Sequence, residues 1–153
     1  MYSDYYMSQA LSMAQIAFEA DEVPVGAIVV KDGIVIGTGF NKVLTNNSVS
    51  SHAEILAINN ASKALKNYRL INCELYVTLE PCHMCAKAIV DSRIDYLYFG
   101  ANEPKTGAIE SIDQFLDRDH LNHKVLFSGG HMQEQSSDLL RKFFQSKRKK
   151  KIS

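Results

Sequence analysis

The sequence predicts an α/β fold: a three-layer α/β/α sandwich with a central five-stranded mixed sheet flanked by helices. Three observations carry this expectation. Five short apolar runs of strand length alternate with stretches whose apolar residues recur at helical spacing. The first two runs are joined by Asp32-Gly33, a hairpin signal, so the sheet begins antiparallel. The remaining strands are separated by helices, the pattern of layered α/β domains. The length, 153 residues, suits one domain with a respectable core, and neither an internal repeat nor a linker marks a second.

The elements follow in order. From Asp4 to about Ala20, Met7, Ala10, Leu11, Ala14, Ala17 and Phe18 recur near helical spacing, with Ser3 or Asp4 as the cap. Val25 to Val30 and Ile34 to Phe40 read as the paired strands. Asn41 to Ser51 is polar and reads as a loop. His52 to Leu65 is helical by the spacing of Ile55, Leu56, Ile58, Ala61 and Leu65. Glu74 to Leu79 is a buried strand, Cys82 to Ser92 a helix, and Ile94 to Phe99 another strand. A loop over Asn102 to Gly107, a short helix at Ile109 to Leu116, a strand at Lys124 to Phe127 and a helix at Glu134 to Ser146 complete the pattern.

Two stretches 30 positions apart carry the chemistry: Ser51-His52-Ala53-Glu54 and Glu80-Pro81-Cys82-His83-Met84-Cys85. They offer one imidazole and two thiols to a metal, with a carboxylate next to the imidazole. Structural zinc sites fill all four positions from protein, whereas catalytic sites keep one for water. Pro81 suits a chain entering a helix from an extended segment. The thiols then fall in the first helical turn, where free N–H groups and the helix dipole favour thiolate, the form that binds metal. Both helices can bring their N-termini together at one edge of the sheet. Glu54 is placed to move the proton that zinc cannot.

Other readings compete. A thioredoxin-like redox pair would follow the first strand of a βαβ unit and leave the HxE triplet without a role. A structural zinc knot needs a fourth ligand, for which Cys73, His83, His120, His123 or His131 are available. Cys73 fits a small buried residue at a strand start, and His83, inside the CxxC pair, tends to point away from a metal. The complete set in this order, HxE and then PCxxC, is the signature of zinc nucleobase deaminases.

Composition narrows the setting. The chain is 46% hydrophobic and 22% charged, ordinary for a globular protein. Three cysteines, two of them in the metal motif, make no disulfide framework and suit a reducing compartment. The N-terminus lacks a basic region and an apolar run, and no run approaches the ~20 residues of a membrane span. A cytoplasmic protein is the expectation. The net charge of zero hides an asymmetry: residues 139–153 hold seven Lys or Arg and no acid, leaving ten basic against 17 acidic residues upstream. This polarity fits an anionic partner met by one end, or a solvated terminus. In the last helix Phe143 and Phe144 either pack on the sheet or stack an unpaired base among Arg141, Lys142, Lys147 and Arg148. The run Lys149-Lys150-Lys151 adds unspecific attraction. Asn41 is either a turn former or a reader of a base edge.

The chain resembles the bacterial tRNA adenosine deaminase (TadA) family of the cytidine-deaminase-like superfamily along nearly its whole length. The matching segments are Glu22-Val23-Pro24-Val25-Gly26-Ala27, Gly39-Phe40-Asn41, His52-Ala53-Glu54, Asn67-Tyr68-Arg69-Leu70, Tyr76 through Cys85, Phe99-Gly100-Ala101, Lys105-Thr106-Gly107 and Leu121-Asn122-His123-Lys124-Val125, with the Phe143-Phe144 helix. The resemblance implies the cytidine deaminase-like fold over a single deaminase domain, residues 1–153, and deamination of adenosine to inosine at the wobble position of a tRNA anticodon. It assigns one zinc ion per subunit to His52, Cys82 and Cys85, and proton transfer to Glu54. Val25, Asn41 and Ala53 would line the base pocket. Glu103, Lys105, Asn122, Phe143 and Phe144 would meet the anticodon stem-loop, with a homodimer sharing the RNA surface. The chain departs from the family at Glu103, where Asp is usual. The alternatives are a deaminase of free bases or nucleotides, of guanine or cytosine type, and a zinc-stabilised RNA-binding module without catalysis.

Overall fold

The computed structural model describes residues 1–152, with side chains through residue 150, so Lys151 of the basic run and Ser153 lie outside the described side chains. Five strands form one sheet in the order β2-β1-β3-β4-β5. The strands are β1 (Gly26–Lys31), β2 (Ile34–Phe40), β3 (Cys73–Leu79), β4 (Tyr96–Ala101) and β5 (Leu126–Ser128). β1 pairs antiparallel with both β2 and β3, and β3, β4 and β5 run parallel. The hairpin turns where Asp32 and Gly33 both take positive φ, 51° and 76°, the backbone such a two-residue turn demands.

Alternating side chains of these strands feed two cores, because successive strand residues face opposite ways. Val29, Leu75, Val77, Leu97 and Phe99 pack with Ala57, Ala61, Ala86 and Ile89 of α3 (Ala53–Leu65) and α4 (His83–Asp91). Ile28, Val30, Tyr76 and Tyr98 face the other way, with Met7 and Ala10 of α1 (Asp4–Glu19). α5 (Gln133–Ile152) lies on that second face and touches α1, where Phe143 meets Phe18 edge-on at 5.9 Å. Helices on both faces of a mixed sheet are the expected three layers.

Three local expectations are corrected. The stretch from Asn41 to Ser51 is not all loop: Val43–Asn46 forms a short helix, α2. Its early amides at Leu44 and Thr45 are taken by the Glu22 carboxylate at 3.1 and 2.6 Å. That cap comes from 22 and 23 residues upstream and leaves no local signature. The helix expected at Ile109 to Leu116 is absent; a 3-10 turn at Phe115–Asp117 stands in its place. The amides of Ile109, Glu110 and Ser111 are committed instead to Glu80. α5 runs past Ser146 because its Lys- and Arg-rich end is made of good helix formers that also suit the C-terminal dipole.

Candidate active site

The site forms where two helix N-termini meet at one end of the sheet. α3 follows β2 and the short α2 with His52 as its N-cap, and α4 follows β3 with Cys82 as its N-cap, both in extended backbone. The first turn of α3 presses on β2: a Cβ at Gly39 would stand 2.4 Å from the Ala53 carbonyl oxygen. That close approach brings His52 to the CxxC pair. Its Nδ1 lies 3.6 Å from Cys82 Sγ and 3.4 Å from Cys85 Sγ. The three ligand atoms all fall within 4.8 Å of one another. Zinc–sulfur bonds of ~2.3 Å and zinc–nitrogen bonds of ~2.0–2.1 Å, set tetrahedrally, separate S from N by roughly 3.6 Å. The donor set and its spacing fit zinc.

Each residue proposed as a fourth ligand is engaged elsewhere or exposed. Cys73 donates to the Ile71 carbonyl, His83 pairs with Asp113 at 2.8 Å, His123 Nε2 lies 2.7 Å from Ile94 O, and His131 bonds Ser128. His120 is exposed on a turn. Among the described residues the cluster of possible ligands numbers three, and Glu54 is not one of them.

Charge in the site is unevenly held. Burial pushes the Glu54 carboxyl up to about 7 against the pull of His52, and the side chain is only 4% exposed. A carboxyl titrating near neutrality can both accept and return a proton. The thiols differ, which the first-turn argument does not anticipate. A hydrogen bond from Cys85, with His52 nearby, outweighs burial and holds Cys82 down at about 4. Cys85, the donor of that bond and wholly buried, is held well above the usual thiol range. The metal-free pair therefore shares one proton. Next to Cys82, the His52 imidazole is held above its ordinary value.

A cavity of about 440 Å³ opens over the cluster, within the range of ligand pockets, ~300–1,000 Å³. Val25, Asn41, Ala53, Glu54, His52, Cys82, Glu103 and Phe143 all line it. Asn41 does so while holding its turn, donating to Val23 O and accepting from Val43 N–H. Glu103 accepts from the Lys105 amide at 2.9 Å, so the longer carboxylate closes its own loop around Pro104. Lys105 and Phe144 are exposed and lie outside the cavity wall. Asn122, expected to meet the anticodon stem-loop, does not line the cavity; it is exposed in the segment before β5.

Of the charged residues in the wall, the sequence did not single out Glu22 and Glu80, and it offered Lys147 only among the cations of the last helix. Glu22 and Glu80 sit in matching segments of the family pattern, which was their only signal. Lys147 reaches the cavity because it lies one turn beyond Phe143, its Nζ 5.3 Å from that ring and 2.5 Å from Asp21.

The two phenylalanines divide the roles left open. Phe143 is 4% exposed and Phe144 45%. Phe143→Ala is expected to cost about 3 kcal/mol of stability, at the low end for a buried Phe. Phe144→Ala should cost under about 1 kcal/mol but weaken binding of an anticodon stem-loop. Denaturant unfolding and a binding titration of both variants check this.

A MafB19-like deaminase profile matches residues 1–148. A tRNA-specific adenosine deaminase of Haemophilus influenzae is 44% identical over 151 residues, 98% of this chain and 87% of its own length. A solved structure from a study of A-to-I editing by tRNA:A34 deaminases at the wobble position superposes with a TM-score of 0.87 at 43% identity, covering 90% of this chain and all of that one. A guanine deaminase from Nitrosomonas europaea superposes with a TM-score of 0.78 at 26% identity, over 93% of this chain and 84% of that one.

Proposed function

This chain belongs to the tRNA-specific adenosine deaminase family and to the MafB19-like deaminases, and from that premise we propose how its residues divide the work. The reaction is hydrolytic, zinc-dependent deamination of adenosine to inosine at the wobble position of a tRNA anticodon. The observation that carries it is Glu54, buried beside a three-ligand cluster at the wall of a cavity able to take one base.

His52, Cys82 and Cys85 hold one zinc ion per subunit. Zinc supplies a water made acidic, its pKa lowered from 15.7 to about 7 in such sites. The target adenosine, unpaired in its loop, flips into the cavity at a few kcal/mol of unstacking cost. Val25 and Ala53 give the base an apolar seat, and the Asn41 amide stands at its edge. Water adds to C6 while Glu54 takes its first proton and passes it to N1. Glu54 then moves the second proton, from the new C6 hydroxyl, to the amine, so the C6–N bond breaks, ammonia departs and inosine remains with its C6 carbonyl and N1–H. Glu103, Lys105, Phe143 and Phe144 meet the anticodon stem-loop. Asn122, outside the cavity wall, also meets the RNA, on a surface that a homodimer shares. The chain acts as a single deaminase domain, residues 1–153, in the cytoplasm; no helix among the described residues is long and apolar enough to cross a membrane.

Incubation with tRNA, with free nucleosides and with free guanine tests the assignment. Inosine at the wobble position, read by sequencing, is expected; turnover of guanine alone would favour the free-base alternative.

The thiol asymmetry gives a prediction for metal loading. Without zinc Cys82 is held down at about 4 while Cys85 is held well above the usual thiol range, so zinc must displace the Cys85 proton. Zinc binding should therefore release at least one proton, and affinity should rise about tenfold per pH unit for each proton released. Calorimetry in two buffers of different ionisation enthalpy measures the count, and a count of zero would contradict this ligand set.

A further inference from the structure

We propose that Glu80 is a positioning residue: its carboxylate clamps the loop 102–111 onto the metal motif and so sets where Glu103 and Thr106 meet the substrate. The proposal rests on the deaminase reading above and adds a residue to it. Glu80 is 3% exposed at the cavity wall. No cation compensates it among its hydrogen-bond partners; neutral donors from one loop surround it. Oε1 accepts from Asn102 Nδ2 at 3.2 Å, from the Glu103 amide at 3.0 Å and from the Ser111 hydroxyl. Oε2 accepts from the amides of Ile109, Glu110 and Ser111 at 3.1, 2.7 and 2.9 Å. Converging amides of this kind form a nest for one negative charge.

The clamp joins two functional pieces. Glu80 precedes Pro81-Cys82 directly, so its backbone is fixed to a metal ligand. The loop it grips carries Glu103 and Thr106, both on the cavity wall. Bonds from Lys105 N–H to Glu103 Oε1 and from Gly107 N–H to Glu103 O are internal to the loop, and shape it without anchoring it. Gly107 is a second, independent sign of the clamp. A Cβ there would stand 2.3 Å from Glu80 Cδ, so the loop is built to lie directly on the carboxylate. The Glu80 side chain couples loop position to the metal motif, alongside one backbone bond from Ala108 N–H to Pro81 O at 2.9 Å.

Three variants test it: Ser111→Ala removes one donor, Gly107→Ala drives a methyl group onto the carboxylate, and Glu80→Gln turns an NH2 toward three donors. For each, zinc content, Tm, and kcat and KM on an anticodon stem-loop are measured, with amide exchange at Glu103. Ser111→Ala is expected to keep wild-type zinc content and Tm, to hold kcat within twofold and to raise KM at least fivefold, with faster exchange at Glu103. Gly107→Ala should move the same way and further. Should Glu80→Gln fail to fold, the other two decide. KM within twofold of wild type in both, or losses that track zinc content, would overturn the proposal. Wild-type enzyme without inosine product would instead defeat the deaminase reading; stem-loop affinity and exchange at Glu103 would still decide whether Ser111→Ala loosens the clamp.

Discussion

Glu54→Ala is expected to lower the rate of inosine formation by about 10³-fold or more while the protein keeps one zinc per chain. General acid–base groups contribute ~10²–10⁴-fold, and here one carboxyl both accepts and returns the proton, so the upper part of that range applies. Glu54 lies outside the three-atom cluster, which is why metal content should survive its removal. A variant that retained turnover would place the proton transfer elsewhere. Glu54→Gln separates chemistry from packing, since it keeps the volume of a side chain only 4% exposed. It also carries a stability consequence with a definite sign. Burial raises the folded carboxyl to about 7 from 4.5, so the folded state binds the proton more tightly than the unfolded chain does. Wild-type stability therefore falls as pH rises through that window. In zinc-free protein Glu54→Gln should be more stable than wild type at pH 8, by on the order of 3 kcal/mol, and gain little at pH 4. Denaturant unfolding at the two pH values measures the difference.

Cys85→Ala should abolish both zinc and activity. A two-ligand remnant from His52 and Cys82 cannot close a site that binds through three, and ligand count sets affinity. Elemental analysis should find well under one zinc per chain. Wild-type protein gains about 4 kcal/mol when free zinc stands at ~1,000 times its Kd; the variant should show no such rise in Tm. Cys73→Ala is the matched control, because that thiol is equally buried but donates to Ile71 O away from the cluster. Zinc lost equally from both variants would point to folding rather than ligation.

Much of the fold was legible because its signals are local. Met7, Ala10, Ala14 and Ala17 mark one face of α1, and all four are buried. Asp32-Gly33 marks the hairpin, and alternating or continuous apolar runs mark the strands. The metal cluster was legible for a different reason: two short motifs place their donors at a helix's N-cap or in its first turn, so only the meeting of the two helix starts was left to the fold. Phe143 and Phe144 were harder, since adjacent helical positions share composition and differ only in the direction they face.

By itself the sequence determined the order of elements, the donor types His52, Cys82 and Cys85, and the neighbouring carboxylate Glu54, because each is written in spacing over a few residues. Only the tertiary structure decided what Glu22 and Glu80 do. Glu22 caps α2 from 22 and 23 residues away, and Glu80 gathers amides from as far as 31. It also decided that, without metal, Cys82 is held below and Cys85 above the usual thiol range, and that Asn122 does not line the cavity. Burial and hydrogen-bond partners across such separations arise only once the chain has closed on itself, and no local pattern encodes them.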